Sequence, residues 1–367
     1  TAGHVGKDAL IRALKNGAII NTDVTEQDVR RAESILGPCP GCTKGKITSS
    51  KRGYVQPDIQ DFVEEPTLQK EILHCDLFFV PGPNGSNTVI LLSVGQRYRL
   101  IVATRLRSKS ASDIIEAWRI QLSLYKQRAI LVPEVFTDNE ANLGATTAFL
   151  QEQGVSLTQH ASSAHEPYCE RRVRVIKERF RAVISDLEYQ LPARLYFDAI
   201  TWCIQGINMF PDTLDPTEDV RSAREKIFGQ KTDLSKQKFG FGDYVTYHTA
   251  SNADCNLAPR HSEGIIVGRD LASGNFKIFD LKTHGYATRR KAVKTPITPH
   301  VAEMITHLAS EDNKGRRTPA EEIDPMLRLT QDDSLTKQFR ENYRELSSSD
   351  EDSDSVPESD GSDNIHS

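Results

Sequence analysis

The spacing of apolar residues changes several times along the 367-residue chain, and each change predicts a different kind of element. Apolar residues recurring every three to four positions predict helices, and short apolar runs bounded by Gly, Pro, Asn or Ser predict strands. The predicted helices cover residues 8–14, 28–36, 110–127, 142–153, the second half of 162–181, 193–210 and 221–229. The predicted strands cover residues 71–80, 87–95, 98–106, 131–138 and 155–158.

The order of these elements predicts an α/β fold with a mixed five-stranded sheet and helices on its faces. The first and fourth strands are expected to be neighbours in this sheet. The later part of the chain has only short strand patterns interrupted by Gly, Asn and Ser-Gly, which predicts a small β-barrel. The predicted domains are a helical N-terminal module (1–48), an α/β core (68–212), a connector (213–238), a β-barrel (239–296), and a charged linker with a disordered acidic tail (297–367).

The composition limits which cellular compartment and which binding partners are expected. No apolar run reaches the roughly 18 residues of a membrane span, so no membrane partner is expected. Six scattered cysteines indicate a reducing compartment rather than a disulfide framework. The net charge is -5, but residues 347–367 contain seven acids and no Lys or Arg, so the rest of the chain is slightly basic. A basic body with an acidic tail fits a nucleic-acid partner, although many proteins without one share this pattern.

The segment 162–181, SSAHEPYCERRVRVIKERFR, opens as a polar loop and continues as a basic helix. Glu170 is the acid near its start, and an apolar stripe runs along it at steps of three and four. One interpretation is a first-turn acid that complements the helix dipole, with a solvated basic face behind it. The other is a metal-binding carboxylate beside a phosphate-binding surface. The basic side chains that would bind DNA are Arg171, Arg172, Arg174, Lys177 and Arg181.

Three acids stand out by their positions in the predicted elements. Asp76 is set in the apolar run LHCDLFFV, Asp138 ends the fourth strand, and Glu170 begins the basic helix. A buried Asp is costly unless it is paired or bound to a metal. If the three carboxylates converge, divalent cations would relieve their repulsion. Two Mg²⁺ ions roughly 3.5–4 Å apart can activate a nucleophile and stabilise the leaving oxygen of a phosphoryl transfer.

The pair Cys39 and Cys42, in the sequence CPGC, has the spacing of half a zinc site. His4 is the candidate third ligand, and the fourth would precede Thr1, since the chain starts without Met and is expected to be a piece of a longer product. The alternative is a pair of reduced thiols in a turn.

Seven motifs in order resemble the integrase of Copia-type (Pseudoviridae) LTR retrotransposons, in the retroviral-integrase-like DDE superfamily. They fall within residues 1–295 of this chain. The motifs are GHVGKDALIRALKNG with CPGCTKGK, LHCDLFF, LRSKSASDIIEAW, FTDNEAN, CERRVRVIK, LPARLYFDAITWCIQGINMFP with REKIFGQKTDL, and GIIVGR with NFKIFDLKTHGYATRR.

The resemblance implies a ribonuclease H-like core, a His-His-Cys-Cys zinc module and an SH3-like β-barrel. It implies that Asp76, Asp138 and Glu170 bind two Mg²⁺ or Mn²⁺ ions and catalyse joining of element DNA 3′ ends to target DNA. His4, Cys39 and Cys42 would bind Zn²⁺, weakened by the missing His. The resemblance also implies binding to double-stranded DNA, a homo-oligomer and a chromatin-associated targeting partner. Integration would take place in the nucleus after a cytoplasmic particle stage.

The sequence departs from the family pattern around the second and third acids. Glu140 replaces the usual Gly of Asp-Asn-Gly, and the loop before Glu170 reads HEPY. The 31 residues between Asp138 and Glu170 are fewer than is usual, so Glu166 and Glu178 are alternative third ligands. Two other functions therefore stay open: a catalytically decayed or domesticated DNA- or chromatin-binding relative, and a ribonuclease H-like nuclease.

Overall fold

A mixed five-stranded sheet forms the centre of the structure, a computed structural model that describes residues 4–37, 39, 69–160, 167–212, 221–249, 261–270 and 273–314. These residues all belong to one compact unit, Thr1–Arg317. The helices are α1 (Lys7–Lys15), α2 (Glu26–Leu36), α3 (Ala111–Lys126), α4 (Ala141–Gly144), α5 (Thr147–Glu152), α6 (Pro167–Ser185), α7 (Tyr196–Asn208), α8 (Ala223–Phe228) and α9 (Pro299–Asn313).

The strands of the central sheet are β2 (Lys70–Pro81), β3 (Asn87–Gly95), β4 (Ile101–Leu106), β5 (Leu131–Thr137) and β6 (Ser156–Gln159). Their order across the sheet is β4-β3-β2-β5-β6. β2 pairs antiparallel with β3 and parallel with β5, and β5 pairs parallel with β6. The predicted mixed sheet, with its first and fourth strands adjacent, is therefore confirmed.

Helices cover the sheet on both faces because side chains of a strand alternate between its two sides. Leu73, Leu91 and Val135 point to one face, where they join the buried Trp118 and Tyr125 of α3 in a single apolar cluster. α3 begins at Ser110, whose hydroxyl accepts a hydrogen bond from the amide of Asp113, as expected of an N-cap. The opposite face, which carries Asp76, packs against α6 and α7.

The N-terminal module is tied to the connector. Strand β1 (Ile19–Ile20) pairs in parallel with β7 (Thr232–Asp233). Ala13, Ala18 and Ile19 pack with Met209 and Phe210 at the end of α7. The predicted connector is therefore partly folded, through α8 and β7, and residues 213–220 lie outside the described part. These contacts join segments that are distant in sequence, so local spacing could not predict them.

A second five-stranded sheet follows, with order β11-β10-β9-β8-β12 and antiparallel pairing throughout. Its strands are β8 (Tyr244–His248), β9 (His261–Arg269), β10 (Phe276–Asp280), β11 (Tyr286–Arg289) and β12 (Val293–Lys294). Asp198 of α7 holds it to the core, since its carboxylate accepts hydrogen bonds from Lys277 Nζ at 2.7 Å and Tyr286 Oη at 2.8 Å. These five strands lie within residues 239–296, and the predicted β-barrel with its SH3-like identity stays a prediction.

The predicted charged linker begins with a folded helix, α9. Thr298 caps this helix and Pro299 occupies its first position, which suits the ring because the proline nitrogen has no proton to donate. Asp312 near its end is almost fully buried and accepts hydrogen bonds from the Arg194 guanidinium and backbone amide. Residues 315–367, including the predicted acidic tail, lie outside the described residues. Among the described residues, no helix combines the length and apolar character that a membrane crossing requires.

Candidate metal site and nucleic-acid face

The first and second predicted acids lie at the centre of the sheet. Asp76 is half-buried in the middle of β2, on the face covered by α6. Its neighbour Cys75 pairs with Thr137, the last residue of β5, so Asp138 leaves the sheet beside Asp76. Parallel pairing of β2 with β5 thus brings together two acids that are 62 positions apart in sequence.

The charge of Asp76 is unfavourable in these surroundings. The pKa of Asp76 is raised to about 7, chiefly by burial and next by the neighbouring carboxylates of Asp138 and Glu140, while the Leu77 amide and Lys177 oppose the shift. A cation bound between the two aspartates would offset both the repulsion between their charges and the cost of burying them. The oxygen donors of Asp76 and Asp138 therefore suit Mg²⁺.

Glu140 adds a third negative charge to this region. Burial raises the pKa of Glu140, Lys109 lowers it, and Asp138 raises it again. The backbone amide of Glu140 also donates to the carbonyl of Asp138 at 2.7 Å, which fixes the turn between β5 and α4. The departure from Asp-Asn-Gly noted in the sequence therefore acts directly on the charge of Asp76.

The basic helix α6 has a buried side and an outer side. Most of its buried residues recur at steps of three and four, namely Cys169, Arg172, Ile176, Phe180 and Val183, and Ala182 is buried beside them. Glu170, Arg171 and Arg174 are exposed, and Lys177 and Arg181 are half-buried. The exposed and half-buried cations form a face that can bind phosphates.

Arg172 was predicted to contact DNA, and the structure corrects this prediction. Its side chain is buried and forms an ion pair with Asp212, which follows α7. Arg172 is placed inward because it lies three residues after Cys169 and four before Ile176 on the buried side. Its guanidinium is thus engaged in the protein interior, and it is removed from the candidate DNA-binding residues.

The third predicted acid, Glu170, lies on the first turn of α6 with its side chain exposed. Of its alternatives, Glu178 forms an ion pair with Arg174 at 3.3 Å, and Glu166 lies outside the described residues. Within the described part of the chain, no group of three or more His, Cys, Asp or Glu side chains is placed to hold a metal ion. Convergence of Glu170 with Asp76 and Asp138 stays a prediction.

Two of the three predicted zinc ligands lie together. His4 Nδ1 is 3.5 Å from the sulfur of Cys39, and His4 Nε2 is 2.8 Å from a carboxylate oxygen of Asp186. Cys42 lies outside the described residues. Imidazole nitrogen and thiolate sulfur are donors that Zn²⁺ prefers, and a carboxylate on the second ring nitrogen is the usual orienting partner of a zinc-bound His. The donors present therefore fit the predicted ion, and the site itself stays a prediction.

A row of stacked rings lies beside the two aspartates and was missed in the sequence. We call it the ring stack: Tyr168, His74, Phe136 and His160, with the Arg99 guanidinium over the Tyr168 ring. His74 and Phe136 are register partners on β2 and β5. Each lies two residues before an acid, so both rings share the sheet face of Asp76 and Asp138. That two-residue spacing was the signal in the sequence.

No protein-family profile matches this sequence, and neither does any curated protein. Several solved structures are similar. One is a simian T-cell lymphotropic virus intasome in complex with PP2A regulatory subunit B56 gamma (12% identity, TM-score 0.38, 81% of this chain and 96% of that chain covered). Another is the HTLV-2 integrase catalytic core domain in complex with magnesium (14%, TM-score 0.33, 44% and 99%).

A third similar structure is the catalytic core domain of BIV integrase (17% identity, TM-score 0.31, 43% of this chain and 93% of that chain covered). All three TM-scores lie below 0.5 and all identities below 20%, so these similarities are too distant to assign a function. The interpretation of the site rests on the strand pairing, charges and contacts described above.

Proposed function

We propose that this protein is the integrase of a Copia-type retrotransposon, a Mg²⁺-dependent polynucleotidyl transferase that joins element DNA 3′ ends to target DNA. The observation that carries the proposal is the pairing of β2 with β5, which sets Asp76 beside Asp138 under a basic helix. Partial burial and mutual repulsion of these acids make a bound cation favourable.

The alignment of α6 with β2 supports Glu170 as the third carboxylate. Tyr168 stacks on His74, and the Lys177 ammonium lies 5.9 Å from the Phe78 ring centre, so the helix and the strand run in the same direction. Nine helical residues and four strand residues both span roughly 13 Å. On this scale Glu170 lies about 4 Å along the helix axis from the level of Asp76.

Asp76, Asp138 and Glu170 would hold two Mg²⁺ or Mn²⁺ ions. When bound, these ions supply activation of an attacking 3′-hydroxyl and stabilisation of the leaving oxygen. Lys177 already acts electrostatically on Asp76 and would balance charge beside a scissile phosphate. Arg171, Arg174 and Arg181 would bind the neighbouring phosphates along the outer side of α6, which positions the duplex without reading its sequence.

The remaining parts of the proposal concern assembly. His4, Cys39 and Cys42 would bind Zn²⁺, with Asp186 orienting the His4 ring. Joining two element ends to one target calls for more than one copy of the chain, so we expect a homo-oligomer on double-stranded DNA in the nucleus, after a cytoplasmic particle stage, with a chromatin-associated targeting partner.

The test is a strand-transfer assay with the purified protein, a labelled duplex that carries a free 3′-hydroxyl, and a target plasmid. We expect joined products with Mg²⁺ or Mn²⁺ and none with EDTA. Asp138→Asn should lower joining by about a thousandfold, since loss of a metal ligand removes several kcal/mol of transition-state stabilisation. Glu116→Gln, which changes an exposed acid of α3, should join normally. A wild-type protein that binds DNA but joins no ends contradicts the enzymatic proposal.

A second function, DNA or chromatin binding without catalysis, is favoured by one observation: the described residues assemble no group of three metal ligands. It predicts salt-sensitive DNA binding that is unchanged by EDTA or by Asp138→Asn. An Mg²⁺-dependent increase in DNA affinity that is lost in Asp138→Asn excludes this second function.

A further inference from the structure

We propose that Tyr168 is the positioning residue for Glu170, acting through the ring stack. The inference rests on the proposed function for its catalytic consequence, while its structural content stands independently. Tyr168 and Glu170 lie in the same first turn of α6, two positions apart. Whatever fixes the Tyr168 ring against the sheet also fixes the backbone that carries Glu170.

Tyr168 contacts residues of two neighbouring segments, strand β2 and the turn before β4. The His74 ring lies 4.5 Å away at an interplanar angle of 28°, and the Arg99 guanidinium carbon lies 5.0 Å from the Tyr168 ring centre. The Tyr168 hydroxyl also donates to the backbone carbonyl of Gln96 at 3.3 Å. The first turn of α6 is thereby held between strand β2 and the turn that joins β3 to β4.

The ring stack continues from His74 towards the end of β5, next to Asp138. His74 stacks on Phe136 at 5.4 Å, and Phe136 stacks on His160 at 5.5 Å. The amide of His160 donates to the carbonyl of Thr137, the residue before Asp138. One continuous row of rings therefore crosses β2, β5 and the end of β6, passing beside the strand positions of Asp76 and Asp138.

The turn between β3 and β4, which contacts Tyr168, is tied to β2 by hydrogen bonds. The Gln96 amide donates to the carbonyl of Ile72 at 2.8 Å, and its side-chain oxygen lies 3.3 Å from His74 Nε2. Arg99 adopts a left-handed backbone conformation, with φ of 62°, which directs its side chain from the turn towards Tyr168. Tyr168 thus docks on a turn that Gln96 ties to β2.

The first turn of a helix is where such a support matters most. Its leading amides have no partner within the helix, so the end frays readily. Further along α6, Arg172 pairs with Asp212, and the buried Ile176 and Phe180 hold the helix to the core. Tyr168, together with the buried Cys169, extends this attachment by one turn towards the N-terminus, which is the turn that carries Glu170.

The test combines hydrogen exchange with two substitutions at one site. Tyr168→Leu removes the ring, while Tyr168→Phe keeps the ring and loses the hydroxyl. We expect Tyr168→Leu to speed amide exchange at residues 171–175 about tenfold, because a ring pair and a cation–π contact are lost. Tyr168→Phe should change exchange less than twofold. Equal exchange in Tyr168→Leu and wild type overturns the proposal.

Phe149→Leu is the matched control for general loss of packing. Phe149 is a half-buried ring on α5 with the Arg119 guanidinium over it, on the opposite face of the sheet. It should lower global stability without a local change at residues 171–175. If Phe149→Leu speeds exchange there as much as Tyr168→Leu does, the effect is global unfolding and the positioning role is refuted.

The catalytic consequence is measured in the strand-transfer assay. Tyr168→Leu should lower kcat about tenfold with KM for DNA within twofold, and Tyr168→Phe should restore kcat, since a misplaced Glu170 impairs chemistry more than binding. If the wild type joins no DNA, the proposed function fails and the exchange results still decide the role of Tyr168. If the wild type joins DNA and Tyr168→Leu joins it equally well, the positioning role fails alone.

Discussion

Asp76 of the central sheet and Asp280 of the second sheet are both strand residues, and their surroundings act on their charges in opposite directions. Burial and two neighbouring acids raise the pKa of Asp76 to about 7. Burial also raises the pKa of Asp280, but hydrogen bonds from Ser262, Tyr247 and Thr283 outweigh it and bring this pKa well below its usual range.

The difference lies in the donors around each carboxylate. Asp280 sits at the end of β10, where the hydroxyls of Tyr247 and Ser262 and the amides of Lys282 and Thr283 all donate to it. Asp76 faces Asp138 and Glu140 instead. A satisfied acid stabilises the fold, whereas an acid whose charge is opposed is poised to bind a cation. Asp280 is therefore a structural aspartate, and the surroundings of Asp76 fit the proposed role as a metal ligand.

The largest effect on stability is expected when Asp280, the carboxylate with several hydrogen-bond donors, is replaced. Asp280→Asn should lower the free energy of unfolding by about 3 kcal/mol, because a buried hydroxyl and two turn amides lose a charged acceptor. Urea unfolding measures the change. Asp23→Asn, at an exposed position, serves as the control and should leave the urea midpoint unchanged. A midpoint equal to that of the wild type would mean that Asp280 does not stabilise the second sheet.

The next largest effect is expected for Asp76, where a substitution should raise stability at high pH rather than lower it. Its folded pKa lies above its unfolded value, so its contribution to stability is fully present below about pH 4 and is lost as pH rises through about 7. In metal-free buffer, Asp76→Asn should match the wild type at pH 4 and exceed it by about 2 kcal/mol at pH 8, allowing for partial solvent screening.

Adding Mg²⁺ to the same unfolding measurement distinguishes the two proteins further, because only the wild type has the Asp76 carboxylate as a metal ligand. Millimolar Mg²⁺ at pH 8 should raise the unfolding midpoint of the wild type and leave that of Asp76→Asn nearly unchanged. Equal stabilisation of both proteins by Mg²⁺ would place the ion elsewhere on the molecule.

The smallest effect is expected from Glu140→Gln. Removing this neighbouring charge should lower the pKa of Asp76 by roughly half a pH unit, since a like charge disfavours ionisation. An NMR titration of the Asp76 carboxyl carbon measures the change. A pKa that stays at the wild-type value would mean that burial and Asp138 alone account for the shift.

Much of the central sheet follows from local sequence. The run EILHCDLFFV predicts a strand because apolar residues dominate it, and the acid inside that run singles out Asp76. Pairing of β2 with β5 could be expected from the order of strands and helices. Asp138 was predicted for the same reason, since it ends the strand that neighbours Asp76.

The side-chain contacts that dock α6 on the rest of the core could not be predicted. Arg172 reads as one more basic residue on α6, and only the folded chain brings Asp212 against it. The ring stack depends likewise on how α6 docks, because Tyr168 meets His74 across 94 positions of sequence. Periodicity specifies which side of an element is buried, whereas the partner across the interface depends on tertiary packing.

The pairing of β1 with β7 has a consequence for biosynthesis. Ile19 finds its strand partner in Thr232, and Lys231 Nζ donates to the carbonyl of Gly17 at 2.8 Å. At roughly 5–20 residues per second, a ribosome needs about 10–40 s to add the chain between them. During that interval the segment around Ile19 lacks its final strand partner, so protease resistance around Ile19 should appear only in stalled chains long enough to release Thr232 from the exit tunnel.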